Sequence, residues 1–442
     1  MSDDRRPLLG GLVEHPERAA LAGEVHARPP MRLGAPAKLS HLVMLSGEAA
    51  AADERAHLGL LADSLDVAPP HHAARQFFAD FGAFKLRWER HTEFAAWTFV
   101  REGAAAAATP ALAEAFADLP IGHVPEDWLS ALPGQVLAHI DLAMLARATS
   151  PPTPQQIEEL FDHPVGGLVG DGAARAWTDF RLYGGGMRIL VHDLKLTSGR
   201  RGRLVQRLLE IETYRMLALL AFPLVRSFGP QMTEIDARLV DLTARLRDAG
   251  ESATPRALLD EALALGAEVE RISGATSYRL SAARAYHELV ERRIDELAER
   301  RSAPGETGLQ PIGQFLRRRL TPAMRTCESL RERQETAARH LERASHLLRS
   351  RIELDLAEQN RAQLAAMNRR SRLQLRLQQT VEGLSVAAIT YYVVGLVAIV
   401  FRSLPESWLV LSPERASGIA VPAVLVLAWL LVRRIRSRRR SG

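Results

Sequence analysis

From Gly383 to Phe401 the chain reads GLSVAAITYYVVGLVAIVF, nineteen residues without a charge. At 1.5 Å per residue that is roughly 28 Å of helix, close to a bilayer's hydrocarbon thickness of about 30 Å. A membrane span is therefore expected. A second charge-free run, ASGIAVPAVLVLAWLLV, fills Ala416–Val432, near the lower limit of about 17 residues for a span. Its Pro422 would break a soluble helix, but a span tolerates it where neighbouring groups re-satisfy the freed carbonyl. The linker Arg402–Arg415 is short and carries Pro405 and Pro413 as helix stops. Together the two runs predict a helical hairpin across a bilayer.

Arginine placement orients that hairpin. Arg369, Arg370, Arg372 and Arg376 precede the first run, and Arg433, Arg434, Arg436, Arg438, Arg439 and Arg440 follow the second. The connecting loop balances Arg402 and Arg415 with Glu406 and Glu414. The positive-inside rule then puts both termini in the cytoplasm. No apolar signal-peptide core follows Asp3, Asp4, Arg5 and Arg6. A bacterial inner-membrane location follows, with about 380 of the 442 residues in the cytosol.

Composition agrees with a folded cytosolic part. Hydrophobic residues make up 47% and charged residues 25%, enough apolar material for a sizeable core. Cys327 is the only cysteine, which excludes an intrachain disulfide and a cysteine-based zinc or iron–sulfur site. Every basic residue except Lys38, Lys85 and Lys195 is arginine, a uniform replacement that reads as genome base composition. The net charge is +5. The basic tail follows an apolar run, so it orients the membrane segment, and no nucleic-acid partner is expected.

Residues 1–196 read as a mixed α/β domain. Expected strands are Lys38–Leu45, Phe84–Arg90, Phe94–Arg101, Gln135–Asp141, Ala174–Tyr183 and Met187–Asp193. His91–Thr92–Glu93 and Gly184–Gly185–Gly186 have hairpin-turn lengths. Helices are expected around Gly47–Leu65 and His71–Phe81. Residues 197–382 read as helical, with helices over Gly199–Ser227, Met232–Ala249, Pro255–Ser273 and Ala275–Arg301. Thr321–Pro322 predicts the start of a long helix, and no proline recurs before Pro405. Unbroken to Phe401, that helix would extend on the order of 120 Å. Gln359, Gln363 and Arg370 interrupt its apolar stripe of Leu341, Leu348, Ile352, Leu356, Ala366, Leu373, Leu377, Val381 and Leu384. A dry two-stranded coiled coil disfavours such seam positions. Two arrangements accept them: an oligomer around an axis, or a stalk folded against its own domain. The fold class is thus an α+β cytosolic domain, a long-helix region, and a two-span transmembrane hairpin with a basic tail over 383–442.

The stretches HPERAALAGEVHARPP (His15–Pro30), RHTEF (Arg90–Phe94), WTDFRLYGGGMRILVHD (Trp177–Asp193) and AAITYYVVGL (Ala387–Leu396) resemble an uncharacterised bacterial family of membrane-associated proteins, known only as a domain of unknown function. The resemblance covers nearly the whole chain and implies no activity. The order of domains is also similar to that of CorA-type magnesium channels, which have a cytosolic α/β domain, a long stalk helix entering the membrane and a short second span. That likeness implies a homo-oligomer, a pentamer, with first spans lining a pore. The Gly-Met-Asn signature of those channels should follow the first span, yet Gly395–Trp408 contains no Gly-x-Asn. The departure puts magnesium selectivity in doubt, and Arg402 at that level would repel cations.

Four groups of residues invite a chemical reading. In an extended segment Glu24, His26 and Arg28 share one face, with His15 and His41 nearby in sequence. A carboxylate beside an imidazole would orient it as base or ligand; a buried network tying the N-terminal segment to the sheet explains the same residues. His91 and Glu93 would suit a metal site with His26 or His192, or are ordinary turn residues. His71–His72, after Pro69–Pro70, reads as a helix start. Gly166–Gly172 lacks a phosphate-loop fingerprint and reads as a flexible turn. In the first span Ser385, Ala388, Tyr392, Gly395 and Ile399 share one helical face, either pore-lining or packing. Glu382 just before it would present a carboxylate ring in an oligomer, or pair with Arg376. No nucleophile elbow, zinc-protease helix or kinase set occurs, so an enzyme is the least favoured class, and no cofactor or metal is assigned. The leading expectation is a CorA-like channel or transporter partnered by lipid and its own copies. The runner-up is a non-transporting membrane-anchored scaffold or sensor whose cytosolic domain binds a partner or ligand.

Overall fold

Eight strands make one sheet in the order β2-β3-β4-β1-β5-β8-β7-β6. This arrangement comes from a computed structural model, which describes residues 15–18, 21–22, 30–103, 112–247, 254–300, 308–403, 418–419, 421–427 and 429–430. The strands are β1 (Ala37–Leu45), β2 (Gln76–Asp80), β3 (Lys85–Arg90), β4 (Phe94–Glu102), β5 (Gln135–Leu145), β6 (Val165–Val169), β7 (Ala174–Tyr183) and β8 (Gly186–Asp193). The helices are α1 (Ala51–Ser64), α2 (Glu126–Ser130), α3 (Pro154–Leu160), α4 (Ser198–Leu219), α5 (Phe222–Arg247), α6 (Pro255–Glu296) and α7 (Ile312–Ser403). An α/β part with one sheet is followed by a long helical part, as the sequence predicts.

The chain divides into two compact units, Met1–Glu251 with Asp260–Ala344, and Ser252–Leu259 with Ser345–Gly442. In the first, β1 and β5 pair antiparallel at the sheet centre, and β5 with β8 is the parallel pair. Each half of the sheet is built as strand, helix and three-strand meander, with spatial orders 1-4-3-2 and 5-8-7-6. Both faces are covered, so β1, β4 and β8 are buried almost without alternation. On one face Leu42, Met44, Leu86, Trp88, Trp97 and Phe99 pack on Leu58, Leu61 and Ala62 of α1 and Trp128 of α2. On the other, Val43, Phe94, Ala96 and Ala138 pack on Leu217 of α4. Side chains alternate between faces along each strand, so this second face also receives His41, Thr98 and Arg87.

Two expected elements are corrected by the sheet edges. The span His71–Phe81, read as helix, contains β2, whose exposure alternates along Gln76–Asp80 as an edge strand's should. Asp80 Oδ1 accepts the Gly82 N–H at 2.9 Å and turns the chain into β3. Val165–Val169, which overlaps the first part of the Gly166–Gly172 run read as a flexible turn, is β6. A Cβ at Gly166 would lie 2.1 Å from the Ala176 carbonyl oxygen, so the glycine serves close strand approach. The turn itself is Gly170–Gly172, where Gly170, Asp171 and Gly172 all take positive φ.

The helical part also differs in its breaks. Pro255–Glu296 is one helix, continuous through Gly274 where two were expected. α7 begins at Ile312, nearly three turns before Pro322, which lies inside it. Glu299 explains the start: its carboxylate accepts the N–H groups of Ile312 and Gly313 at 2.7 and 2.9 Å, satisfying donors that a helix N-terminus leaves open. Burial pushes the Glu299 carboxyl up, and those two N–H groups oppose the shift. The long helix is otherwise as predicted, unbroken to Ser403.

Cys327 is buried on α7, and burial pushes its thiol up to about 11. Because the thiolate is the reactive form, Cys327 in the native protein at pH 8 is expected to resist iodoacetamide for hours. In denaturant it should be alkylated within minutes, as mass spectrometry of the two samples will record.

Candidate functional site

The face of β1, β3 and β4 that meets α4 is not fully closed. Between them lies a cavity of about 240 Å³, with Arg293 of α6 at its edge. Helix α4 comes close to the chain at Met31 because residue 202 is glycine: a Cβ there would sit 1.6 Å from the Met31 carbonyl oxygen.

Among the cavity's lining residues is an imidazole held by two hydroxyls. His41 Nδ1 lies 2.8 Å from Thr98 Oγ1, and His41 Nε2 lies 3.3 Å from Thr213 Oγ1. Thr213 also donates to the Leu209 carbonyl at 2.8 Å. Burial, then the neighbouring His139 and Arg87, depress His41 to about 3, so it is neutral at physiological pH. Around it, Arg87 donates to Glu89 at 2.7 Å. Gln206 donates to Glu210 at 2.7 Å, and Arg293 pairs with Glu210. Charges of both signs line the space and largely balance. The volume falls below the roughly 300–1,000 Å³ of drug-sized ligand sites. It suits ordered water or a small polar molecule.

His41 makes a pH prediction. Its folded-state pKa is depressed below its ordinary 6.5, so between pH 6.5 and about 3 the unfolded chain binds the proton and the folded chain does not. Stability is then present above 6.5 and lost as pH falls, at up to about 1.4 kcal/mol per pH unit from this group. Thermal unfolding from pH 7 to 4 is expected to fall more steeply for the wild type than for His41→Gln. Parallel curves would show that His41 does not carry the effect.

The RHTEF motif is a structural junction. Arg90 donates to Glu54 at 2.6 Å and to Ser46 at 2.6 Å, and also meets the Gly47 carbonyl. Desolvation pushes the Glu54 carboxyl up despite that pairing. Glu93 accepts from Arg279 at 2.7 Å and from the Tyr286 hydroxyl at 2.6 Å, both on α6. Burial, with Glu93 alongside, raises Tyr286 above the ordinary phenol range. His91 stacks on Phe94, ring centroids 4.2 Å apart, and both line the cavity. His192 lies on β8, bonded through Nε2 to the Thr149 carbonyl at 3.1 Å, and is not brought to His91 or Glu93. Among the described residues no group of three or more His, Cys, Asp or Glu is placed to hold a metal ion.

Glu24, His26 and Arg28 lie outside the described residues. His15 accepts the Glu17 N–H at 3.2 Å on an exposed turn. In WTDFRLYGGG, Asp179 gathers the N–H groups of Asp162 and Arg181 at 3.0 Å each and the Tyr183 hydroxyl. This fixes the bulge between Thr178 and Leu182 that stacks Phe180 on Phe315, 5.4 Å between centroids. The Gly184–Gly186 reversal forms as expected, with positive φ at Gly184 and Gly185. In α7 the Ser385 hydroxyl donates to the Val381 carbonyl at 2.8 Å. Tyr392 is exposed and meets Tyr391 edge to face, Gly395 is exposed, and Glu382 is half-buried. The cavity residues His41, Thr98, Arg87 and Thr213 were not selected together. The local signals are separate: Arg87 alternates with Leu86 and Trp88 on β3, Thr98 is the one polar residue of Phe94–Val100 on β4, His41 lies in the otherwise apolar His41–Leu45 half of β1, and Thr213 lies on α4.

α7 contains an apolar window of mean hydropathy 2.1, only 6% of it buried, long and apolar enough to cross a membrane by length and composition. Residues 421–427, within the second charge-free run, are helical. The remainder of that run is only partly described, and the arginine tail lies outside the described residues. The model of the family of proteins of unknown function DUF3422 matches residues 13–439, so the chain belongs to that family. No curated protein matches the chain.

Proposed function

We propose that this family member is an integral inner-membrane protein: a two-span helical hairpin over 383–432, both termini cytoplasmic, assembled with copies of itself and passing ions. The observation that carries the reading is the exposed apolar window of α7. Leu384, Ile389, Leu396 and Ile399 are each more than half exposed, and a core helix of a water-soluble protein would bury such residues. Leu373, Leu377 and Val381, on α7 before the charge-free run, are exposed as well, which supports association with a second copy. The face of Ser385, Tyr392 and Gly395 supplies small and polar groups for a path or a close helix contact. Selectivity for magnesium is not proposed, since the Gly-Met-Asn signature is missing.

Full-length protein reconstituted in liposomes is expected to dissipate an ion gradient, with Ser385→Leu changing the rate. Vesicles that stay tight, with protein inserted, would overturn transport and leave the second reading. That reading is a membrane-anchored sensor or scaffold, favoured by the polar cavity around His41. It predicts that small polar molecules shift the thermal unfolding of the full-length protein in detergent, and that His41→Gln removes the shift.

A further inference from the structure

Between Gln359 and Val381 the chain contains no aspartate or glutamate, yet it carries Arg361, Arg369, Arg370, Arg372 and Arg376. All five lie on α7 and are exposed. An ion pair along a helix needs an acid three or four residues away, and Arg369, Arg370, Arg372 and Arg376 have none. A parallel second copy offers little more. Glu358 is roughly 16 Å along the axis from Arg369, and Glu382 is one carboxylate that is already engaged.

Helical periodicity gathers Arg361, Arg369, Arg372 and Arg376 within an arc of about 80°. The stripe of Ala366, Leu373, Leu377 and Leu384 is centred about 100° away, so one face can meet a second copy while the other stays open. Arg376 lies about 10 Å before Gly383 along the helix, within reach of a headgroup layer some 5–8 Å deep. Arg372 lies within about one Debye length of that layer, and Arg369 within two. In the hairpin topology the tail from Arg433 to Arg440 arrives at the same leaflet, adding positive charge that needs a counter-anion.

We infer that the Arg369, Arg372 and Arg376 face of α7 is a binding surface for the phosphates of anionic phospholipids. This rests on the membrane reading above, and goes beyond it by naming a lipid class. Clustered arginines beside a span gain roughly fivefold in affinity each from an anionic surface.

The test reconstitutes full-length protein into phosphatidylcholine bilayers with one-tenth phosphatidylglycerol and measures co-purifying lipid by native mass spectrometry. Wild type is expected to enrich phosphatidylglycerol at least about tenfold over the bulk ratio. The triple variant Arg369→Gln, Arg372→Gln, Arg376→Gln should lose most of that enrichment while remaining inserted. The corresponding triple lysine variant, which retains the charge, should keep it. Inserted wild type without enrichment, or a glutamine variant that retains it, overturns the lipid surface and leaves the membrane reading intact. Protein that never enters the bilayer overturns both.

Discussion

Arg90→Met is expected to destabilise the α/β unit by about 3–5 kcal/mol, the cost of leaving a buried charge without its partner. Glu54 is fully buried and Arg90 is 3% exposed, so water cannot replace the guanidinium. The same substitution removes the donor to the Gly47 carbonyl and to the Ser46 hydroxyl, which keeps its own bond to Glu54. Full-length protein in detergent should melt about 10 °C lower. Glu54→Leu combined with Arg90→Met should recover much of the loss, because removing both charges removes the desolvation cost. The sign with pH is also set. Glu54 already has a raised pKa, so in Arg90→Met the folded state binds the proton more readily than the unfolded. The penalty is largest at neutral pH and shrinks as pH falls towards 4.5. A melting loss under 2 °C would contradict a load on this pair and free the motif for another role.

Two aspartates in the apolar window should have the largest effect. Val394→Asp with Leu396→Asp puts two carboxylates near the centre of the proposed span, each costing about 2.5–3.5 kcal/mol on insertion scales. The sum, about 5–7 kcal/mol, should move the protein from membrane to soluble or aggregated fractions. Lys85→Gln and Arg101→Gln, far along the chain on β3 and β4, should leave fractionation unchanged. If the double aspartate variant still sediments with membranes and resists alkaline wash, this window is not what holds the chain there.

Much of the sheet was legible because strand and turn chemistry coincide. Phe94–Glu102 and Lys85–Arg90 flank a three-residue turn, and Ala174–Tyr183 and Gly186–Asp193 flank glycines with positive φ. β2 is masked by Ala73 and Ala74 before it and Ala79 within it, whose helical preference yields to a sheet edge. β6 was hidden by glycines that read as a turn until the approach of β7 is seen. The start of α7 was misplaced because its cap, Glu299, comes from outside the helix and leaves no local signature. The cavity could not be assembled from sequence at all. His41, Thr98 and Thr213 come together only through the pairing of β1 with β4 and the crossing of α4, contacts set by tertiary packing. RHTEF was visible as a unit, but its partners Glu54, Arg279 and Tyr286 lie up to two hundred residues away in sequence.

The central claim is that the apolar stretch in α7 lies in lipid, and alkaline carbonate extraction tests it directly. Membranes from cells making the full-length chain should retain it in the pellet after washing at pH 11, with release only by detergent. Full-length protein in a detergent-free high-speed supernatant, behaving as a monomer, would contradict the account.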